Sequence, residues 1–313
     1  MKIAAIDIGS NALRLCIKET NYGKLIASTD EVHSDEYYER VPLKSGMDVF
    51  AHSQILPPTK IKLAFALQHF AKIMNDYGVD TYRAVATSAY RDAENGQEII
   101  QAVNEMSGLN VEIISGEEEA YLTRRSFIPP QQQENDYFLF ADVGGGSTEL
   151  SLVHQGQLLY SHSFQVGSMR YRCNNQSPEQ EVALDNKVAD IKSQISNLKS
   201  QTNHYAPINY IGVGGCVKFM SKYLYKEKKG KDKDARKGII LVSDMERIYA
   251  DLQTKTVDEI VSSYGLPHER ADILTPASSI FLRIAHGIGA QTITVPPIGV
   301  RNGILAELYS KTQ

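Results

Sequence analysis

A short device occurs twice in this chain, 135 residues apart, and it constrains the fold more than any other feature. The first copy is Ile6-Asp7-Ile8-Gly9-Ser10-Asn11, and the second is Ala141-Asp142-Val143-Gly144-Gly145-Gly146-Ser147. Each copy ends a β-rich run in an aspartate and turns back through small residues, which leaves backbone N–H groups facing outward with no side chain in the way. The repetition predicts a duplicated unit, and two such hairpins facing each other would hold a phosphate chain across an interdomain cleft.

Length and composition limit the class of protein. A chain of 313 residues corresponds to about two domains, and its 42% apolar and 22% charged residues favour a globular core over disorder. A formal net charge of −4 is too balanced for a general nucleic-acid surface, so any polyanion must bind at a local site.

Cysteine usage and hydropathy indicate the compartment. Cys16, Cys173 and Cys216 stand singly without a CxxC pair, which favours a reducing cytosol and argues against disulfides or zinc. No apolar run approaches the roughly 20 residues of a membrane helix, and the first residues do not fit a signal peptide. We therefore expect a cytoplasmic protein with neither a membrane nor a nucleic acid as partner.

Apolar periodicity and turn residues alternate strands with helices, as in an α/β fold. Strands are predicted at residues 2–8, 12–18, 24–32, 81–86, 111–114, 137–143, 148–153, 158–164 and 208–212, and helices at 59–77, 96–106 and 178–202. Residues 131–135 are polar and follow two prolines, so they form the predicted linker between domain I (1–128) and domain II (136–300). Capping boxes, in which glutamate follows a hydroxyl by three residues, are predicted at Ser115, Ser243 and Thr256.

The second copy of the device continues to Glu149 and has the most chemical content. An aspartate at a strand end can hold Mg²⁺ directly or through water, and three glycines let a phosphate approach the main chain. Glu149 lies on the returning strand and can join Asp142 there. The alternative is a glycine-rich turn with solvated acids, which the first copy around Asp7 disfavours.

Three adjacent glutamates, Glu117, Glu118 and Glu119, open a predicted helix after Ser115. Successive helical residues are rotated by about 100°, so the three carboxylates do not share a face. If Glu118 caps Ser115, Glu119 points elsewhere and can serve as a general base for water. The alternative is a charged helix start exposed to water, which the helix dipole also favours.

Arginines beside strand ends or glycine turns are candidate phosphate ligands. Arg91 can grip phosphate oxygens in a bidentate contact, or it can pair with Asp92 or Glu94 at the surface. Arg14, Arg170 and Arg301 likewise either line the same cleft or form ordinary salt bridges. Residues 226–237 contain seven basic and three acidic side chains, and they form either a solvated loop or an electrostatic guide for a long polyanion.

Seven ordered motifs over nearly the whole chain strongly resemble those of the exopolyphosphatase / guanosine-pentaphosphate phosphohydrolase (Ppx/GppA) family. They are IDIGSN (6–11), ATSAYRDA (86–93), ISGEEEA (114–120), DVGGGSTE (142–149), GSMR (167–170), GVGG (212–215) and RADILTP (270–276). The resemblance implies the two-domain actin-like ATPase fold of actin, sugar kinases and heat-shock chaperone ATPases, which is ribonuclease H-like, with an interdomain cleft. It also implies that a last helix at 302–310, within residues 301–313, returns to domain I. Longer members add a helical, HD-like region where this chain stops, so the short two-domain form is expected.

The resemblance also implies roles for individual positions. Glu119 matches the water-activating glutamate, and Asp142 and Glu149 match acidic metal-site and catalytic positions, with Asp7 as a further metal candidate. The implied phosphate-binding positions are Ser10, Asn11, Arg91, Gly144, Gly145, Gly146 and Ser147, to which the position beside a strand end adds Arg14. Arg91 is expected to act in catalysis as well. Ala12 and Asn302 depart from the family pattern, in which a serine and an acid are usual at these positions.

These expectations describe a Mg²⁺-dependent phosphohydrolase that releases the terminal phosphoryl group of inorganic polyphosphate, with guanosine pentaphosphate as the other family substrate. Two alternatives stay open. A phosphotransferase on the same fold would need an acceptor pocket with its own base, which no motif specifies. A non-enzymatic sensor would bind polyphosphate or the alarmone nucleotide without releasing phosphate. A homodimer is compatible with the sequence.

Overall fold

The computed structural model describes residues 1–19, 35–127, 133, 135–202, 207–229 and 236–311. The predicted strand at 24–32, most of the predicted linker at 131–135 and the middle of the basic segment 226–237 lie outside these residues. Within them, no helix is both long and apolar enough to cross a membrane.

The described residues form eleven strands and twelve helices. The strands are β1 (Lys2–Ile8), β2 (Ala12–Glu19), β3 (Asp35–Pro42), β4 (Thr81–Ala86), β5 (Val111–Ile113), β6 (Tyr137–Val143), β7 (Thr148–His154), β8 (Gln157–Phe164), β9 (Ile208–Val213), β10 (Ile239–Leu241) and β11 (Thr292–Thr294). The helices are α1 (Ser45–His52), α2 (Pro57–Asp76), α3 (Ser88–Asp92), α4 (Gly96–Ser107), α5 (Gly116–Arg125), α6 (Ser168–Arg172), α7 (Pro178–Thr202), α8 (Gly215–Lys228), α9 (Val242–Gln253), α10 (Val257–Tyr264), α11 (His268–Ile288) and α12 (Val300–Ser310).

The chain divides into two compact units. The first contains Met1–Phe127 together with Pro297–Gln313, and the second contains Ile128–Pro296. Helix α12 therefore belongs to the first unit, where Ile304 and Leu305 pack in one apolar cluster with Leu122 of α5. Burial of these side chains is the main force that holds the carboxy-terminal helix on the amino-terminal part of the chain.

The sheets of the two units share a topology. In the first, the strand order is β3-β2-β1-β4-β5, and in the second it is β10-β11-β9-β6-β7-β8. The central strand β1 is antiparallel to β2 and parallel to β4, and β6 is likewise antiparallel to β7 and parallel to β9. Both central strands are almost entirely buried, as expected for strands covered on both faces.

The register repeats as well. Asp7 lies opposite Arg14 in the first hairpin and beside Val85 of the parallel neighbour. Asp142 lies opposite Glu149 in the second hairpin, and Val213 is its parallel neighbour. The duplication inferred from sequence therefore extends to strand pairing.

Two elements were not predicted from the sequence, and the predicted capping boxes have different outcomes. Strand β3 (Asp35–Pro42) and helix α1 (Ser45–His52) were not predicted. The capping box at Thr256 is confirmed, because its hydroxyl accepts from Glu259 N–H while the Glu259 carboxylate accepts from Thr256 N–H. The one predicted at Ser243 is wrong, because α9 already begins at Val242 and Leu241 is its N-cap.

Candidate functional site

The first hairpin ends in a tight turn at residues 9–12. Gly9 N–H donates to the Ala12 carbonyl at 3.1 Å. The turn is held from one side by the start of α1, where Gly46 N–H donates to the Ser10 carbonyl at 2.9 Å and the Ser45 hydroxyl lies 3.5 Å from the Gly9 carbonyl. Ser10, a predicted phosphate ligand, is buried in this turn.

The second hairpin has the same turn at residues 144–147, here called the glycine loop. Gly144 N–H donates to the Ser147 carbonyl at 2.9 Å. The start of α6 holds the loop, because Met169 N–H donates to the Gly145 carbonyl at 2.7 Å and the Ser168 hydroxyl donates to the Gly144 carbonyl at 3.1 Å. The two turns are therefore equivalent in both their internal hydrogen bond and the way each is supported.

Arg170 completes the support of the glycine loop. Its Nε donates to the Gly146 carbonyl at 2.6 Å, and its backbone N–H donates to the Gly145 carbonyl at 3.2 Å. The approach is close: a Cβ added at Gly167 would lie 2.6 Å from the Gly145 carbonyl carbon, where no side chain fits. Arg170 was expected either to line a cleft or to form a salt bridge, but the described contacts direct it to the main chain of the loop.

Two carboxylate side chains project from the sheet next to this loop. Asp142 and Glu149 are directly opposite in the antiparallel pair, so their side chains project from the same face of the sheet. Glu149 is 2% exposed and accepts a hydrogen bond from the Ser163 hydroxyl at 2.7 Å. A Cβ added at Gly214 would lie 3.7 Å from Asp142 Oδ1, so the missing side chain there leaves room beside this carboxylate.

This donor set fits a magnesium ion. Mg²⁺ prefers oxygen ligands and is commonly held by one or two carboxylates, with water and substrate phosphates completing the shell. In the part of the chain that the structure describes, no group of three or more histidine, cysteine, aspartate or glutamate side chains is arranged to hold a metal. Asp142 and Glu149 would thus supply only part of the coordination shell.

Glu119 and Arg91 are brought together in the first unit. Arg91 Nη1 lies 3.3 Å from Glu119 Oε2 and donates to the Ile114 carbonyl at 2.9 Å. Arg91 lies on α3 after β4 and Glu119 on α5 after β5, and the parallel strands β1, β4 and β5 present their carboxyl ends at one edge. Glu119 is 9% exposed, so its charge is largely shielded from bulk water.

Glu118 has a different partner from Glu119. Ser115 caps α5 by accepting a hydrogen bond from Glu118 N–H at 3.1 Å. The expected return contact from the Glu118 side chain is replaced by an ion pair with Arg83, which also binds Glu112 at 2.7 Å and Glu307 of α12 at 2.6 Å. Sequence reasoning missed Arg83, because its partners come from distant parts of the chain.

Two other candidate arginines of the first unit, Arg14 and Arg301, contact side chains of this unit. Arg14 Nη1 donates to Asp7 Oδ2 at 2.9 Å, and a role for Arg14 in binding phosphate stays a prediction. The guanidinium of Arg301 lies over the Tyr38 ring, 4.6 Å from its centroid. Asp7 belongs to the first unit and Asp142 to the second, and the convergence of the two acids on one cleft stays a prediction.

The chain is similar to proteins of known family and structure. The model of the Ppx/GppA phosphatase family matches residues 39–312. Exopolyphosphatase 2 of Mycobacterium tuberculosis is 30% identical over 184 residues, which cover 56% of this chain and 56% of that protein. The guanosine-5'-triphosphate,3'-diphosphate pyrophosphatase of Vibrio cholerae is 22% identical over 307 residues, which cover 97% of this chain and 59% of that protein. The chain spans just over half the length of these curated relatives.

A solved structure shows the same fold. The exopolyphosphatase of Cytophaga hutchinsonii superimposes with a TM-score of 0.78 at 22% identity, covering 99% of this chain and 98% of that one. The two α/β units accordingly have the actin-like ATPase fold predicted from the motifs.

Proposed function

The chain belongs to the Ppx/GppA phosphatase family, and from that premise we propose that it is a hydrolase that releases the terminal phosphoryl group of a phosphoric anhydride. The substrate is inorganic polyphosphate or guanosine pentaphosphate, the two chemistries named by the relatives described above. Both substrates end in a phosphoryl group on an anhydride oxygen, so the same catalytic groups serve either one.

The observation that carries this proposal is the Arg91–Glu119 pair at the carboxyl edge of β1, β4 and β5. A carboxylate for water activation and a guanidinium for phosphoryl oxygens are the two charged groups that phosphoryl transfer to water needs. Here they are in contact, mostly buried, and fixed on two helices that follow adjacent strands. A surface ion pair would lack this placement at a strand edge where ligands usually bind.

Glu119 acts as the general base. It takes a proton from a water molecule, whose oxygen then attacks the terminal phosphorus in line with the anhydride bond. The P–O bond to the shortened chain breaks, and the chain leaves with the bonding electrons. The start of α5 stabilises the Glu119 carboxylate through the helix dipole, and Arg91 fixes its orientation through Nη1 while further guanidinium N–H groups remain to bind phosphoryl oxygens.

This proposal predicts that the two turns bind the rest of the phosphate chain, which is the convergence on one cleft expected from the sequence. Backbone N–H groups of the glycine loop and of the turn at residues 9–12 donate to phosphate oxygens, and Ser147, Ser10 and Asn11 add polar side chains. Asp142 and Glu149 are the residues that would hold a divalent cation. When bound, the cation neutralises charge on the phosphoryl oxygens.

The decisive experiment replaces Glu119 by glutamine, which keeps its size and removes the base. We expect phosphate release from tripolyphosphate to fall by at least about two orders of magnitude, while the affinity for the substrate is retained. Glu117→Gln is the matched control, because Glu117 lies in the same helical turn and is exposed. Equal rates for Glu119→Gln and Glu117→Gln would remove Glu119 from this role.

Substrate choice is tested in the same assay. Phosphate release is compared for polyphosphates of graded length and for guanosine pentaphosphate, with no acceptor added. Release without an acceptor distinguishes a hydrolase from a phosphotransferase. Tight binding with no release by the wild-type protein would favour the sensor instead.

A further inference from the structure

Both turns have their carbonyl groups bound from one side. In the first turn the donors are Ser45 Oγ and Gly46 N–H, and in the second they are Ser168 Oγ and Met169 N–H. In each turn the serine hydroxyl contacts the carbonyl of the first glycine, Gly9 or Gly144. The N–H of the residue after the serine donates to the carbonyl of the next turn residue, Ser10 or Gly145. A contact pattern that is preserved in both copies indicates that supporting the turn is part of the device.

The glycine loop is the more completely bound of the two. Donors from residues 168–170 engage three consecutive carbonyl oxygens, those of Gly144, Gly145 and Gly146. A peptide unit is planar and trans, so its N–H points away from its C=O. Because the three carbonyls face α6, the N–H groups in the same three peptide units, those of Gly145, Gly146 and Ser147, face away from α6. Three N–H groups on one side form an anion-binding concavity.

Arg170 supplies the last of these contacts, and its placement is that of an internal support. The residue is 7% exposed, and the hydrogen bond from Nε to the Gly146 carbonyl is buried. Nη1 lies 3.4 Å from Asn175 Oδ1, and the Arg170 carbonyl accepts from Asn175 N–H at 2.9 Å. Asn175 therefore contacts both the guanidinium and the main chain of Arg170. A buried carbonyl that lost this donor would turn towards another partner and would rotate the Gly146–Ser147 peptide with it.

We propose that Arg170 is a positioning residue that holds the Gly146 carbonyl towards α6, so that the Ser147 N–H is presented to phosphate, and that Arg170 does not bind phosphate itself. This inference rests on the proposed function for the identity of the anion. The orientation of the loop is a property of the protein without ligand.

A pair of uncharged variants separates the two possible roles of Arg170. In Arg170→Gln the amide nitrogen is as many bonds from Cα as Nε, so the donor to Gly146 is kept and the charge is lost. In Arg170→Met a methyl carbon takes that place, so donor and charge are both lost. Arg172→Gln is the control, because Arg172 is exposed on the same short helix and loses the same charge.

The first measurement is hydrogen exchange of the Ser168 and Met169 amides in protein without ligand, because these amides donate to the loop. We expect exchange in Arg170→Gln to match the wild type and exchange in Arg170→Met to be about tenfold faster, the order expected when a buried hydrogen bond is lost. The second measurement is kcat and KM for tripolyphosphate. We expect Arg170→Gln to stay within about threefold of the wild type in kcat/KM and Arg170→Met to fall about tenfold or more, with KM raised.

Two results would overturn the proposal. Equal losses of kcat/KM in both variants with unchanged exchange would show that the charge of Arg170 acts on phosphate directly. Wild-type behaviour of Arg170→Met in both measurements would show that the loop needs no such support. If Arg170→Met does not fold, Arg170→Lys takes its place, because it keeps the charge and puts a methylene where Nε lies. A wild-type protein that releases no phosphate would refute the proposed function, while the exchange measurement would still decide the role of Arg170.

Discussion

Replacing Gly303 by alanine tests how α12 is held on the first unit. Gly303 faces the main chain of α5, and an added Cβ would lie 2.7 Å from Leu122 Cα and closer still to the Leu122 carbonyl group. Ordinary contacts of a Cβ begin at 3.4 Å, so the contact with Leu122 Cα alone requires α12 to withdraw from α5 by 0.7 Å, and the nearer carbonyl group requires more. Both sides of this contact are backbone, so no side-chain rotation relieves the overlap.

The loss of stability in Gly303→Ala follows from the core packing that a displacement of α12 disturbs. Ile304 and Leu305 are 0% and 2% exposed and pack with Leu122 in one cluster, so moving α12 loosens a close-packed core. Overpacking of a core costs about 1–3 kcal/mol, and the upper end applies here because the obstacle is main chain. At roughly 2–4 °C per kcal/mol, Gly303→Ala should lower the melting temperature of the first unit by about 6–12 °C.

Differential scanning calorimetry of the full chain measures this shift. Gly215→Ala is the matched control, because it makes the same change at the start of α8, where the added Cβ meets nothing within 4 Å. Its melting temperature should stay unchanged or rise slightly, since alanine favours a helix over glycine by up to about 1 kcal/mol. If Gly303→Ala melts within about 2 °C of the wild type, the close approach of α12 to α5 is not a feature of the protein in solution.

Two further predictions concern the second unit. Glu149→Gln should abolish the rise in melting temperature that Mg²⁺ gives the wild-type protein, whereas Glu181→Gln, in a surface pair with Arg283, should retain it; the same rise in both variants would exclude Glu149 as a ligand. Burial and a hydrogen bond with Glu181 raise the pKa of Tyr171 to about 12, so the folded protein keeps this phenol protonated more strongly than the unfolded chain does. The resulting stabilisation is complete below pH 10 and is lost as the pH rises from 10 to 12. The tyrosinate absorbance lost in Tyr171→Phe should therefore titrate near pH 12, and a midpoint at pH 10 would contradict this environment.

The central strands were predictable because their signals are local. Strands 2–8 and 137–143 coincide with β1 and β6, since both are apolar runs bounded by turn residues. Helix 178–202 coincides with α7, whose start and periodicity are also local. Strand β3 was not predicted, because half of its residues are charged and its pairing with β2 is non-local.

The candidate site was also predictable only where its residues belong to local motifs. The residues of the two turns and Glu119 could be selected because each stands in a compact motif. The groups that orient them could not, because Ser45 is separated by 36 residues from the carbonyl that it supports, and Arg170 by 24 from Gly146. The sequence around a serine or arginine near a glycine turn does not show whether the residue hydrogen-bonds the turn or binds phosphate. Only the fold distinguishes these two roles.

The duplicated hairpins differ in charge at one equivalent position, and from this difference we propose a different chemistry for each. Asp7 faces Arg14, which forms an ion pair, so the first turn presents its N–H groups beside a neutral pair and suits an anion. Asp142 faces Glu149 at the same register, where two like charges directly opposite are unfavourable unless a cation or other donors compensate them. Under the proposed function, the second turn therefore combines the proposed anion-binding loop with a pair of carboxylates that would hold a cation. A phosphate chain with a divalent cation satisfies both requirements of the second turn, and a phosphate chain alone satisfies the first.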